Sequence, residues 1–157
     1  MSHLLMEDLQ FIKGLDPVAD ACAGTIYSDV VNMGLMEKVA FVMYVGVGAT
    51  GTSTLTVQAC DDTTPSNRTA VPFYYREILT GDTEGTLTAA GAAGFVTTAG
   101  SSKLVVVEVD QSALAATGYG YVQLKAVEVA DSPILGGILV IGEAKRESSS
   151  AKTSAIA

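Results

Sequence analysis

The feature that most constrains this chain is a two-residue alternation of apolar and polar side chains. It is clearest over residues 52–60 (TSTLTVQAC), where Leu55, Val57 and Ala59 point one way and Thr54, Thr56 and Gln58 the other. A helix advances about 100° per residue and would scatter these side chains around its circumference, whereas a strand sorts them onto two faces. One apolar and one polar face is the pattern of a half-buried antiparallel strand.

The same period recurs. Residues 103–110 (KLVVVEVD) form a strong strand, and residues 119–129 form another. In the second, Val122, Leu124 and Ala126 share one face, and Tyr121, Gln123, Lys125 and Val127 the other. Residues 39–47 (VAFVMYVGV) are apolar on both faces, which predicts a central strand covered on both sides. Residues 25–31, 73–80, 95–98 and 134–141 read as further strands, with Gly136-Gly137 as a bulge or a point of close packing. Residues 81–94 read as a Gly/Ala/Thr-rich connection holding one poorly specified strand. Only residues 111–117 suggest an internal helical turn, with Gly118 placed as its C-cap. Roughly eight strands without β-α-β alternation predict an all-β fold, an antiparallel sandwich; the jelly roll is the eight-strand, two-sheet version of it.

Residues 1–14 read as an N-terminal arm. Leu4, Leu5, Asp8, Leu9, Phe11 and Ile12 are partly spaced for one helix face, but an isolated helix this short is marginal in water. Gly14 ends the segment and Asp16-Pro17 redirects the chain, because the residue before a proline avoids the helical region. So many large apolar side chains need a surface to cover them, and Leu4, Leu5, Leu9, Phe11 and Ile12 are the expected partner-binding residues. The sandwich is then expected over 15–142, and the Lys/Glu/Ser/Ala-rich stretch 143–157 as a tail.

The charge balance narrows function. The chain has 17 acidic and 9 basic residues and a net charge of −8, the reverse of what phosphate neutralisation requires, so a nucleic-acid partner is not expected. The single His is His3, in the arm, which leaves Ser–His or Cys–His catalysis without a fixed scaffold; no catalytic residue and no enzymatic activity is expected. The longest apolar stretch, residues 133–142, falls short of the ~20 residues of a membrane helix, so no membrane partner is expected. The opening MSHLLMEDLQFIK has no basic n-region, which predicts synthesis in a cytoplasm.

Several local strings have two readings. Gly46, Gly48 and Gly51 satisfy a G-x-G-x-x-G pattern, but a dinucleotide site needs a helix next and the period that follows is two. A hairpin turn is the expected reading. Asp61 and Asp62, and Asp82 with Glu84, lack the alternating spacing of a calcium loop and read as solvated turn acids, so no metal and no cofactor is expected. Cys22 and Cys60 are expected to be free buried thiols. Asn67-Arg68-Thr69 matches a glycosylation acceptor and reads as a turn. Tyr74, Tyr75, Tyr119 and Tyr121 could stack sugars or bases, and as strand residues are expected to alternate between core and surface.

Three strings carry a resemblance: LDPVADACAGTIYSDVVNMG, GVGATGTSTLTVQACDD and GYGYVQLKAVEVADSPILGGILVIGEAKR. Together they look like small structural proteins of tailed-bacteriophage head gene clusters, and resemble capsid decoration (cement) proteins. The likeness spans roughly residues 15–146. It implies a β-rich module on the outside of a capsid shell, a dimer or trimer, with the major capsid protein as partner, located in the virion after assembly in the bacterial cytoplasm. The alternatives are a tail or head–tail joining protein and a carbohydrate- or receptor-binding β module.

Overall fold

The computed structural model describes residues 4–47, 49–79, 81–130 and 133–144. A single helical turn, α1 (Leu5–Asp8), leads directly into β1 (Leu9–Val18). Then follow β2 (Thr25–Tyr27), β3 (Val31–Asn32), β4 (Met36–Val45) and β5 (Thr52–Cys60). The middle of the chain holds β6 (Arg68–Val71), β7 (Phe73–Leu79), β8 (Thr83–Glu84), β9 (Thr88–Ala90) and β10 (Phe95–Val96). The last part is β11 (Lys103–Asp110), a 3-10 turn at Gln111–Leu114, β12 (Tyr121–Ala130) and β13 (Gly136–Ala144).

All pairings are antiparallel and divide into two sheets. The larger runs β1-β13-β4-β11-β7-β8, with β9 also on β7; the smaller runs β10-β5-β12-β2, with β3 on β12 and β6 on β5. Taking β2 with β3, and β6 with β7, as interrupted single strands leaves eight long ones. Their pairings nest. First meets last (β1 with β13), second meets seventh (β2 with β12), third meets sixth (β4 with β11), and fourth meets fifth (β5 with β6). Four nested antiparallel pairs rolled into two layers are a jelly roll, so the expected sandwich is present with that connectivity. Pro72 marks the point where the fifth strand leaves β5 in one sheet to join β11 in the other.

The core lies between the sheets and is built by alternation. Val39, Phe41, Met43 and Val45 of β4 meet Leu55, Val57 and Ala59 of β5 and Val122, Leu124 and Ala126 of β12, all fully buried. Tyr75 and Phe95 stack across the layers with centroids 3.5 Å apart.

Three expectations need correction. Residues 9–14 are not an arm: β1 starts at Leu9 and pairs with β13 from Leu9↔Glu143 to Val18↔Gly136. The helix-like apolar spacing misled because Gly14 and Pro17 sit inside an edge strand, where register shifts on either side of Leu15 absorb them. Residues 46–51 do not close a hairpin. They carry the chain from β4 in one sheet to β5 in the other, and Gly46 lies outside the left-handed region, its N–H donating to Leu135 O at 2.7 Å. Residues 25–31 are interrupted at Ser28, whose Oγ accepts from Leu124 N at 2.9 Å and so stands in for a backbone carbonyl in the ladder.

The expected turn at 111–117 is present, tightened to a 3-10 turn and capped by the Asp110 carboxylate, which accepts from Ser112 N at 2.8 Å. Gly118 has φ +73°, as a terminating glycine should. The tail expected from residue 143 starts later, since Glu143 and Ala144 end β13 and pair with Lys38 and Met36 of β4; His3 and residues 145–157 lie outside the described residues. No helix among the described residues is long and apolar enough to cross a membrane.

Candidate interaction surface

The two outer faces of the sandwich differ. On the smaller sheet the central outward rows are polar, with Val96 and Val127 in the row beyond: Gln58 faces Gln123, and Thr56 faces Lys125, which faces Tyr27. Arg68, on the strand beyond β5, and Tyr27, on the strand beyond β12, reach towards each other until the guanidinium lies 5.0 Å from the ring centroid. This cation–π contact roofs the Gln58–Gln123 pair, whose amides are 3.4 Å apart, and accounts for the burial of Gln123 on an outer face.

On the larger sheet nothing equivalent covers the outward rows among the described residues. One row reads Gly137, Tyr44, Leu104, Ile78. The next reads Lys13, Leu139, Val42, Val106, Arg76. The third reads Phe11, Ile141, Ala40, Glu108, Tyr74. A fourth, at the end, reads Leu9, Glu143, Lys38, Asp110. Apart from Glu108 on β11, the centre is apolar and the charges stand at the margins, where Arg76 pairs with Glu84 at 2.6 Å. Tyr44 is 66% exposed, and Phe11, Tyr74 and Leu139 are also exposed.

The residues 39–47 expected to be central are central in the sheet, between β13 and β11. Their two-sided apolarity predicted cover on both faces, yet the side carrying Ala40, Val42 and Tyr44 has no layer over it among the described residues. That unexplained apolarity was the available signal for this surface. It recurs in the LVVVEV and ILGGILVIG strings.

At one end of the face lies an apolar cleft of about 490 Å³, bordered by Leu15, Pro17, Tyr44, Leu135 and Leu139. Gly137 makes it. A Cβ there would stand 2.8 Å from Leu15 O and 2.9 Å from Pro17 N, so only glycine lets β1 fold over β13 at this point.

The expected partner-binding residues separate. Leu4 and Leu5 are exposed on and beside α1. Leu9 is half-buried and Phe11 lies on the outer apolar face at 45% exposure. Ile12, 3% exposed, points into the core and is unavailable to a partner.

The remaining polar groups are committed to the fold. The Asp61 carboxylate accepts from Ser66 N and Oγ and from Asn67 N and Nδ2 at 2.8–3.1 Å, and Asn67 with Ser66 holds it well below the usual carboxylate range. Among the described residues no three His, Cys, Asp or Glu side chains gather as a metal site. Cys22 and Cys60 are both free and buried, and burial pushes the Cys60 thiol up to about 11. Tyr119 packs against the core, whereas Tyr74 is exposed.

One group was missed in the sequence. Lys103 opens β11 on the inward face at 3% exposure and pairs at 3.4 Å with Glu77 of β7. Its ammonium also donates to the Thr98 carbonyl, while the Glu77 carboxylate accepts from Thr98 N at 2.9 Å and from Thr98 Oγ1.

No family model and no curated protein matches the chain. Among solved structures, the chain is similar to the SPBc2 prophage-derived protein YomS, with TM-score 0.48 and 13% identity over 86% of this chain and 90% of that one. It also matches a chain from infectious bursal disease virus, Gt strain, with TM-score 0.21 and 15% identity, covering 93% of this chain and 37% of the other. Likenesses this shallow carry no functional argument.

Proposed function

We propose that this chain is a non-enzymatic structural protein of a phage particle that binds the outer surface of the capsid and stabilises the shell. The observation that carries the reading is apolar surface left uncovered among the described residues, at Leu4 and Leu5 ahead of β1, 64% and 66% exposed, and on the outer face of the larger sheet. A surface of that kind on a small β module is built for adhesion. The resemblance of three long strings to decoration proteins supplies the phage context, and the −8 charge suits a position facing solvent rather than packaged DNA.

The mechanism is mass action. A protein that binds the assembled shell and not its dissociated subunits shifts the equilibrium toward the shell. Repetition over many identical sites then adds small contacts through effective concentration. The major capsid protein is the partner, and the decorating unit is a homo-oligomer assembled with the particle in the bacterial cytoplasm. Leu4 and Leu5, exposed at the head of β1, supply an apolar contact to the shell.

The test is cosedimentation of the full chain with purified shells, followed by heating of decorated and bare shells. Saturable binding and a higher shell melting temperature are expected. Absence of binding to the shells of the phage that encodes the chain would overturn the reading. Deletion of residues 1–8 removes the exposed contact and leaves β1 whole, and is expected to lower occupancy; unchanged occupancy would exclude that segment from the interface.

A further inference from the structure

We infer that the outer face of the larger sheet is where two copies of this chain pack against each other, sheet on sheet, about a two-fold axis. This deepens the adhesion reading by assigning the surface used for self-association. It leaves the shell-binding surface elsewhere on the molecule.

The first argument is charge. A two-fold interface places the same patch on both partners, so the patch must complement itself. Two copies of a chain with net charge −8 repel, and that repulsion is smallest where the facing surfaces are neutral. The four outward rows carry Lys13, Lys38 and Arg76 against Glu108, Asp110 and Glu143, and Glu84 of β8 extends the first row beyond Ile78, so the face is close to neutral with three basic and four acidic side chains. Most of the acidic excess lies outside this face.

The second argument is area. Five strands at ~4.8 Å spacing and four rows two residues apart make a plane of roughly 24 by 27 Å, about 650 Å². A standard interface takes ~800 Å² from each partner, and the corrugation of side chains brings the accessible area of this plane close to that figure. Stacking one sheet on another at ~10 Å is the packing the chain already uses between its own layers.

The third argument is shape. Tyr44 protrudes beside the apolar cleft at Gly137. A rigid aromatic next to a hole on one self-complementary surface is the arrangement in which interface hot spots pair with pockets.

The experiment uses the full chain in sedimentation equilibrium over a concentration series. Wild-type protein is expected to weigh twice its 16.1 kDa chain mass at tens of micromolar. Tyr44→Glu and Leu139→Glu are each expected to weaken the dimer by roughly 30-fold or more, the size of a hot-spot loss. Val129→Glu, at an exposed position of the smaller sheet, is expected to leave it unchanged. Tyrosine nitration of wild-type protein gives a readout free of mutation: Tyr44 and Tyr74 are expected to become protected as concentration rises, and Tyr27, on the other sheet, to react equally throughout. A monomer at these concentrations overturns the inference. So does a dimer that ignores both larger-sheet variants, or protection confined to Tyr27. A monomer that still decorates shells overturns this inference and leaves the cement reading intact.

Discussion

Glu77→Leu and Lys103→Met test whether the inward ion pair is held by mutual need or is incidental. With Glu77 replaced, the Lys103 ammonium, 3% exposed, keeps only the Thr98 carbonyl, and the Thr98 N–H and hydroxyl lose their acceptor. Stranding one member of a buried pair costs about 3–5 kcal/mol. With Lys103 replaced, the Glu77 side chain, 15% exposed, retains both Thr98 donors and a path to water, and the expected loss is about 1–3 kcal/mol. The double variant puts two apolar side chains where the pair stood. It should lose no more than about 2 kcal/mol, because replacing both charges removes the desolvation cost along with the attraction. The singles therefore sum to several kcal/mol more than the double. Urea unfolding reads this directly: at a slope of ~2 kcal/mol per molar, Glu77→Leu moves the midpoint by about 2 M and the double by about 1 M or less. A double variant as unstable as the sum of the singles, or a Glu77→Leu midpoint within ~0.5 M of wild type, would refute the coupling.

Asp61→Ala should disorder the 61–67 turn, read as loss of slow amide exchange at Ser66 and Asn67, because five donors, Asp62 N among them, lose one acceptor. Since the folded Asp61 carboxyl titrates below its ordinary value of 3.8, its contribution is complete above that pH and is lost as pH falls through the depressed value. The Ser66 and Asn67 amide shifts should therefore stay constant down to about pH 3, and a midpoint near 4 would contradict the geometry. The Cys60 thiol, pushed up to about 11 by burial, should resist iodoacetamide at pH 8 in folded protein and react once the protein is unfolded in urea; fast labelling of the native state would refute its burial. Gly94 has φ +77°, and a Cβ there would collide with the Leu55 carbonyl, so Gly94→Ala should cost about 2 kcal/mol or more in thermal or urea unfolding, and a neutral effect would refute the close approach.

The long strands were legible because each carries its own evidence. TSTLTVQAC alternates cleanly and KLVVVEVD is rich in β-branched residues, and β5 and β11 fall where those strings place them. β1 was not legible, since LQFIKGLDPV holds a glycine and a proline and becomes a strand only because β13 offers it an edge. The turn after β4 was misread for a related reason: glycines announce a change of direction and say nothing about which sheet receives the chain. The apolar face was half legible. Residues 39–47 showed surplus apolar side chains, and a second cover was inferred where the described residues supply none. Lys103 was hidden because its partners, Glu77 and Thr98, converge from separate strands and loops.

The insertion of β13 between β1 and β4 sets the order in which the molecule is completed. During synthesis β4 can pair with β11 as soon as both have left the ribosome, but β1 has no place to bind until the last strand emerges. Until β13 is made, β1 and β4 each keep an unsatisfied edge, and closure requires joining residues more than a hundred positions apart, a topology that folds slowly. The larger sheet, and with it the face bearing Phe11, Leu139 and Ile141, is complete only once β13 has joined β1 and β4. A chain that stops before β13 therefore lacks the surface on which two copies would meet.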